Sequence, residues 1–126
     1  MSSPIRVVII DDHAILREGL AMVLRHQPDM QLAGQAGDKA SAVSLLRSER
    51  PDVAVIDLAL GAEDGLELVS AMRGLSVATR TLVLTMHEER EYVRAAIVAG
   101  ALGYVLKRNS SSNVLDAIRS VAQGRS

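Results

Sequence analysis

Residues 51–65 read PDVAVIDLALGAEDG, and they combine a short apolar run with an abrupt polar ending. The run Val53–Ile56 is rich in β-branched residues, which is typical of a strand buried on both faces. Asp57 ends the run, and the two glycines that follow predict a loop. Asp57 is therefore expected at the carboxyl end of a central strand, where open α/β sheets bind ligands. A carboxylate in that place is a metal ligand, a nucleophile or a loop cap.

Two further strand ends carry charged residues. The first predicted strand, Ile5–Ile10, is followed by Asp11 and Asp12, and the late strand Gly103–Lys107 ends in a lysine. The carboxyl ends of parallel strands meet at one edge of a sheet, so these groups are expected to converge with Asp57. Such a convergence favours a functional site over a chance capping residue.

Strand and helix signals alternate five times along the chain. This alternation predicts a parallel sheet with helices on both faces. The fold class we expect is α/β, a flavodoxin-like doubly wound sheet of five strands in the order 2-1-3-4-5, with five helices. The expected strands are Ile5–Ile10, Met30–Ala36, Val53–Asp57, Thr81–Thr85 and Gly103–Lys107, and the expected helices cover about 14–26, 38–50, 65–74, 88–99 and 110–123.

Each predicted helix carries an apolar stripe that is expected to face the sheet. Asp38 is the expected N-cap of the second helix, and Gly100 is expected to end the fourth. The stripes are Leu16, Leu20 and Val23; Ala42, Leu45 and Leu46; Leu68, Val69 and Met72; Val93, Ala96 and Ile97; and Val114, Ile118, Val121 and Ala122.

Composition bounds the class of protein. A chain of 126 residues, 48% of them hydrophobic, is expected to form one domain, residues 1–126 with a core over about 5–123 and no DNA-binding domain. The formal net charge of −1 and the lack of a basic block argue against direct nucleic-acid binding. No apolar stretch approaches membrane-spanning length, so no membrane partner is expected. The absence of cysteine fits a reducing cytoplasm.

The expected carboxylate cluster implies a cation. Three close carboxylates repel one another, and a divalent ion relieves that repulsion. All-oxygen ligation suits Mg²⁺, which often bridges to a phosphate. Asp57 could then attack a phosphoryl group, while Lys107 and the Thr85 hydroxyl cover its remaining oxygens. The product would be an aspartyl phosphate.

At this point the motifs IIDDH, DVAVIDL, EDG, LVLTMHE and GALGYVLK can be considered together. In this order and spacing, the chain resembles the receiver domains of two-component response regulators over about residues 5–123. The DDH start, the REGL of the first helix and the TMHEE segment resemble the LuxR-type (NarL/FixJ) subfamily most.

The resemblance implies roles for individual residues. It implies that Asp57 is the phosphoacceptor, and that Asp57, Asp11, Asp12 and the backbone carbonyl of Ala59 hold Mg²⁺. Lys107 would contact the phosphoryl group. The phosphodonor would be a cognate histidine kinase, and the protein would be a cytoplasmic signalling switch rather than a turnover enzyme.

The resemblance also implies a response to phosphorylation. Thr85 and Tyr104 would form the switch pair. Phosphorylation would promote a homodimer through the first and last helices, with Leu115 and Ala122 among the candidate positions. The output would be transcription regulation, with DNA contacted only through an output domain absent from this chain; a stand-alone receiver acting by protein contact is the alternative.

Two departures from the family pattern and one pair of side chains bear on mechanism. Gly61 stands where many receivers have proline, which leaves the loop conformation open. Arg108 follows Lys107 in place of a proline, and a non-proline cis bond costs about 3 kcal/mol, so the geometry of that bond stays open. Ala59 and His87 are expected to flank the path of an attacking water, and Ala59 cannot hydrogen-bond it, which predicts a long-lived phosphoryl group.

Three other functions compete with the receiver. A phosphatase of the haloacid-dehalogenase type needs an aspartate two residues after the nucleophile, and Ala59 stands there. An FMN carrier needs a hydroxyl-rich phosphate loop after the first strand, for which Asp11 and Asp12 have the wrong charge. A degenerate receiver that only binds a protein is disfavoured by the complete set of acids, threonine and lysine.

Overall fold

The computed structural model of the chain describes residues 3–57, 65–74, 78–85, 90–106 and 111–124. Strands and helices alternate in the predicted order. The strands are β1 (Ile5–Ile10), β2 (Met30–Ala36), β3 (Val53–Asp57), β4 (Arg80–Thr85) and β5 (Gly103–Leu106), and the helices are α1 (Ala14–Arg25), α2 (Lys39–Glu49), α3 (Gly65–Gly74), α4 (Arg90–Ala99) and α5 (Ser111–Ala122).

The strands form one parallel sheet in the order β2-β1-β3-β4-β5, as predicted. Their carboxyl ends are nearly level. Ile10 of β1 pairs with Ala36 of β2 and with Ile56 of β3, and Thr85 of β4 pairs with Leu106 of β5. Residues that follow these positions are consequently presented along a single edge of the sheet.

The sheet separates two apolar layers because successive strand side chains point to opposite faces. One layer packs against α1 and α5, and the other lies against α2 and α3 with part of α4. The first layer contains Val7, Ile9, Val53, Val55, Leu82, Ala21, Leu24, Ile118 and Val121, and the second contains Val8, Ile10, Ala54, Ile56, Val83, Leu46, Leu68, Val69 and Met72.

Two predicted helix ends are confirmed. The Asp38 side chain accepts a hydrogen bond of 2.8 Å from the Ser41 N–H, which caps α2 and lowers the pKa of the Asp38 carboxyl. Gly100 follows α4 with a φ of 123°, a conformation that favours glycine, and its N–H donates to the Ile97 carbonyl.

Glycine is also required at the start of β5. A Cβ at Gly103 would lie 2.7 Å from a methyl of Leu82 and 2.8 Å from a methyl of Val121. The missing side chain therefore lets α5 pack closely over β4 and β5.

Three predictions about helix faces are wrong. Leu16 is 53% exposed, whereas Leu20 and Val23 of the same predicted stripe pack against the layer that contains the buried Ala21 and Leu24. Ile97 is 60% exposed. Leu115, a candidate dimer position, is buried in the layer under α5 and is unavailable to a partner. The predicted inward stripes of α3 and α5 are confirmed.

Candidate functional site

Asp11, Asp12 and Asp57 come together at the carboxyl edge of the sheet. Asp57 is the last residue of β3, and Asp11 directly follows β1. Because Ile10 and Ile56 are paired neighbours, the residues after them lie side by side. The convergence of these three acids, predicted from strand ends alone, is present in the structure.

The cluster also includes His13. Asp11, Asp12, His13 and Asp57 each offer one ligand atom, and these atoms all lie within 4.8 Å of one another. Asp11 and Asp57 are buried, at 3% and 2% exposure, whereas Asp12 and His13 are exposed. The cluster is thus closed on the side of the sheet and open toward solvent.

His13 fixes the acidic loop. Its backbone N–H donates to Asp11 Oδ1 at 2.8 Å. Its ring nitrogen Nδ1 lies 3.1 Å from the same oxygen, 3.2 Å from Asp12 Oδ1 and 3.7 Å from Asp57 Oδ2. These contacts hold the acidic loop in a defined conformation, and they add an imidazole nitrogen to the carboxylate oxygens of the site.

Arg17 of α1 also reaches the site, and it is not among the predicted site residues. Its Nη1 donates to the backbone carbonyl of Asp11 at 2.6 Å, and its Nε donates to Gln35 Oε1 at 3.2 Å. The sequence gives one indication that Arg17 could reach the site, since it lies one helical turn after His13. In the structure, the Arg17 N–H donates to the His13 carbonyl.

The donor set suits a divalent cation. Three carboxylates so close together are mutually repulsive, and a bound cation would offset that repulsion. Carboxylate oxygens are the ligands of hard cations such as Mg²⁺ and Ca²⁺. The cluster is therefore able to hold such an ion.

The other expected site residues are less completely described. Ala59, His87, Lys107 and the bond between Lys107 and Arg108 lie outside the described residues. Thr85 ends β4 and Tyr104 lies in β5 opposite Val83, but the side chains of both lie outside the described part.

The fold and the acidic edge together define a doubly wound α/β domain with a candidate cation site at the carboxyl ends of its strands, and sequence comparison gives its family. Residues 7–119 match the response regulator receiver domain. The chain belongs to this family. Receiver domains are signalling switches that interact with histidine kinases, and the relatives of this chain include regulators of the LuxR type.

Individual relatives agree with this assignment. The chain is 34% identical over 129 residues to the probable transcriptional regulatory protein NarL of Mycobacterium tuberculosis, covering 99% of this chain and 60% of that protein. It therefore spans less than two thirds of that relative. The solved receiver domain of the same NarL superposes with a TM-score of 0.93 at 33% identity, over 98% of this chain and 100% of that one.

Two further solved structures are informative. A LuxR-family two-component response regulator from Aurantimonas sp. SI85-9A1 gives a TM-score of 0.92 at 34% identity, covering 98% of this chain and 88% of that one. A response regulator from Burkholderia pseudomallei was solved with a phosphorylated aspartic acid, a calcium ion and citrate. It gives a TM-score of 0.82 at 28% identity, covering 94% of this chain and 69% of that one.

Within the described residues, no helix is both long enough and apolar enough to cross a lipid bilayer.

Proposed function

We propose that this domain accepts a phosphoryl group on Asp57 from a histidine kinase and holds Mg²⁺ with Asp11, Asp12, Asp57 and the backbone carbonyl of Ala59. The observation that carries the proposal is the cluster of two buried carboxylates and one exposed carboxylate at the edge of the sheet. Membership of the receiver family and the phosphorylated aspartate and calcium ion of the Burkholderia pseudomallei relative support it.

In the proposed reaction, a carboxylate oxygen of Asp57 attacks the phosphorus of a phosphohistidine. A P–O bond forms as the P–N bond breaks, and the leaving imidazole keeps the electron pair and takes up a proton. Burial of Asp57 at the end of a rigid strand fixes the attacking oxygen, which favours an in-line approach. A bound Mg²⁺ would neutralise negative charge on the phosphoryl oxygens.

The remaining roles are proposed from sequence position and family membership. Lys107 would neutralise a second phosphoryl oxygen, and Thr85 with Tyr104 would relay the change to the surface. Thr85 is the last residue of its strand and pairs with Leu106, the residue before Lys107, which agrees with a shared position at the sheet edge. Ala59 and His87 would control hydrolysis of the phosphoryl group.

The proposed output is transcription regulation in the cytoplasm through a DNA-binding domain, with homodimerisation on phosphorylation. The name of the NarL relative supports this output.

A small phosphodonor such as acetyl phosphate, added with Mg²⁺ and followed by intact-mass measurement, tests the proposal. Wild-type protein should gain one phosphoryl group, and Asp57→Asn, which keeps the side-chain volume, should gain none. Asp116→Asn, on the exposed face of α5, is the matched control and should behave as wild type. Equal uptake by Asp57→Asn would show that another residue is the acceptor.

A further inference from the structure

The two peptide units that flank the Asp11 Cα, one before it and one leading to Asp12, are each held by a hydrogen bond. The Asp11 N–H donates to the Ala36 carbonyl at 3.0 Å, and the Asp11 carbonyl accepts from Arg17 Nη1 at 2.6 Å. Because a peptide unit is planar, an anchored Asp11 carbonyl also fixes the N–H and Cα of Asp12. The hydrogen bond from Arg17 therefore fixes the backbone position from which the Asp12 side chain extends.

We infer that Arg17 is a positioning residue, which sets the Asp11–Asp12 peptide so that the Asp12 carboxylate faces the cation site. This inference rests on the proposed function. Asp12 needs such help because its side chain is 30% exposed and does not sit in a closed pocket, unlike Asp11 and Asp57. Apart from the 3.2 Å contact with His13 Nδ1, the orientation of the Asp12 side chain therefore depends on its backbone.

The guanidinium is itself held in a defined place. Arg17 Nε donates to Gln35 Oε1 at 3.2 Å, so the group spans from α1 to the end of β2. Its planar set of donors suits such a bridge between a carbonyl and a side-chain amide. Arg17 thus ties the acidic loop to the neighbouring strand.

Space for the guanidinium is provided by a glycine. A Cβ built on Gly37 would lie 2.9 Å from Arg17 Nη1, closer than real side-chain contacts allow. The clashing atom is the end of a flexible side chain, so an alanine at position 37 would move the guanidinium and disturb little else. Gly37→Ala is therefore a way to displace Arg17 without removing it.

The competing explanation gives Arg17 only a charge effect. A guanidinium near a cation site repels the cation, so its removal should then strengthen Mg²⁺ binding. A positioning role predicts the opposite result: removal of Arg17 weakens Mg²⁺ binding, because the Asp12 carboxylate is then misplaced. Loss of residues that orient metal ligands commonly weakens metal affinity by about 10-fold to 100-fold.

The test is the Mg²⁺ dissociation constant of the full chain, measured by titration with Mg²⁺ alone and followed by NMR of the backbone amides. Arg17→Ala and Gly37→Ala should each raise the constant by about 10-fold or more. Arg17→Lys should rescue part of the loss, because an ammonium can donate to the carbonyl but cannot form the bridge to Gln35. Combining Arg17→Ala with Gly37→Ala should weaken binding no further than Arg17→Ala alone.

Matched controls separate positioning from folding and from charge. Arg25→Ala removes the same charge from the last turn of α1, and Gly19→Ala adds a methyl that meets nothing within 4 Å. Both should leave the dissociation constant unchanged. Urea unfolding without Mg²⁺ should show that the Arg17 and Gly37 variants remain folded.

The outcomes distinguish the two proposals. Tighter or unchanged Mg²⁺ binding in Arg17→Ala and Gly37→Ala, with normal binding by wild type, would overturn the positioning role alone. Additive losses in the double variant would overturn the link between Gly37 and Arg17. Wild-type protein that does not bind Mg²⁺ would overturn the proposed function and this inference with it.

Discussion

Asp11 has a partner for its N–H, its carbonyl and its carboxylate. These are the Ala36 carbonyl, Arg17 Nη1 and the His13 N–H. A buried carboxylate is costly unless hydrogen bonds compensate its lost hydration. The network therefore makes Asp11 a fixed part of the site, whereas Asp12 meets solvent.

Asp12→Ala should reduce the stabilisation of the domain by Mg²⁺. A ligand that binds only the folded state stabilises it by an amount set by its concentration relative to the dissociation constant, about 2.7 kcal/mol at 100 times that constant. Without Mg²⁺, the variant should be at least as stable as wild type, because one repulsive charge is gone. Thermal unfolding with and without Mg²⁺ measures both effects, and a wild-type melting temperature that ignores Mg²⁺ would count against the site.

Ala59→Asn should shorten the lifetime of the phosphoryl group on Asp57. The methyl of Ala59 offers no hydrogen bond to an attacking water, whereas an asparagine amide could hold one, and water positioning contributes strongly to phosphoryl hydrolysis. A decay time course of both phosphorylated proteins at equal Mg²⁺ measures the effect. Equal or slower decay in the variant would reject the argument and leave His87 or the loop at Gly61 in control.

The acids of the site could be predicted from sequence, but the support around them could not. Asp11, Asp12 and Asp57 each follow a recognisable strand, and parallel strand ends must meet. The position of Arg17 depends on Gln35, which is 18 residues away, and so on the pairing of β2 with β1. The register of that pairing shifts between Val7 and Val8 of β1. No local pattern reports such a shift.

The buried face of a helix was also only partly predictable from sequence. Leu16 has apolar spacing with Leu20 and Val23, yet α1 starts beyond the end of β1, and Ile15 and Leu16 in its first turn are exposed. On α4, Ala99 is buried while Ile97 and Val98 are exposed. Periodicity predicts that a helix has an apolar side, but the packing partner decides which apolar residues it covers.

Gly19→Ala should stabilise the domain. Gly19 lies inside α1, where alanine is favoured over glycine by about 0.5–1 kcal/mol, and a methyl there would meet nothing within 4 Å. The midpoint of urea unfolding should rise while the slope stays constant. A lower midpoint would indicate that α1 is not a regular helix at this position.

At the scale of the whole molecule, Arg119 joins residues distant in sequence. Its guanidinium on α5 binds both carboxylate oxygens of Asp29 at 2.8 and 3.3 Å and the Gln27 side chain at 2.8 Å. The hydrogen bond from Arg119 holds the pKa of the Asp29 carboxyl below its usual value. The last helix is thereby tied to the turn before β2.

This ion pair should make stability depend on pH in a narrow acidic range. The Asp29 carboxyl has a lower pKa in the folded protein than the value of 3.8 expected in the unfolded chain. Its contribution to the free energy of unfolding is therefore fully present above pH 3.8 and is lost as the pH falls through the folded-state pKa. The carboxylate is 46% exposed, so the contribution should be only about 0.2–1 kcal/mol. The difference in unfolding free energy between wild type and Asp29→Asn should be constant near neutrality and should shrink below about pH 4. A difference that grows on acidification would contradict it.

Phosphorylation should promote self-association through the exposed apolar side of α1. Ile15 is 87% exposed and Met22 is 61% exposed, one heptad apart on the same helix. Met22→Glu should reduce the dimer seen by sedimentation of the phosphorylated protein, while Ile97→Glu on α4 serves as the matched control. Identical monomer masses with and without phosphorylation would reject dimerisation of this chain. A larger loss of dimer in Ile97→Glu than in Met22→Glu would place the interface on α4.

Locating the phosphoryl group tests directly whether Asp57 is the phosphoacceptor. Borohydride reduces an aspartyl phosphate to homoserine, which peptide mass spectrometry can assign to one position. After treatment with acetyl phosphate and Mg²⁺, we expect homoserine at position 57 and intact aspartate at positions 11 and 12. Homoserine at position 11 or 12, or no homoserine in protein that has gained a phosphoryl mass, would contradict it.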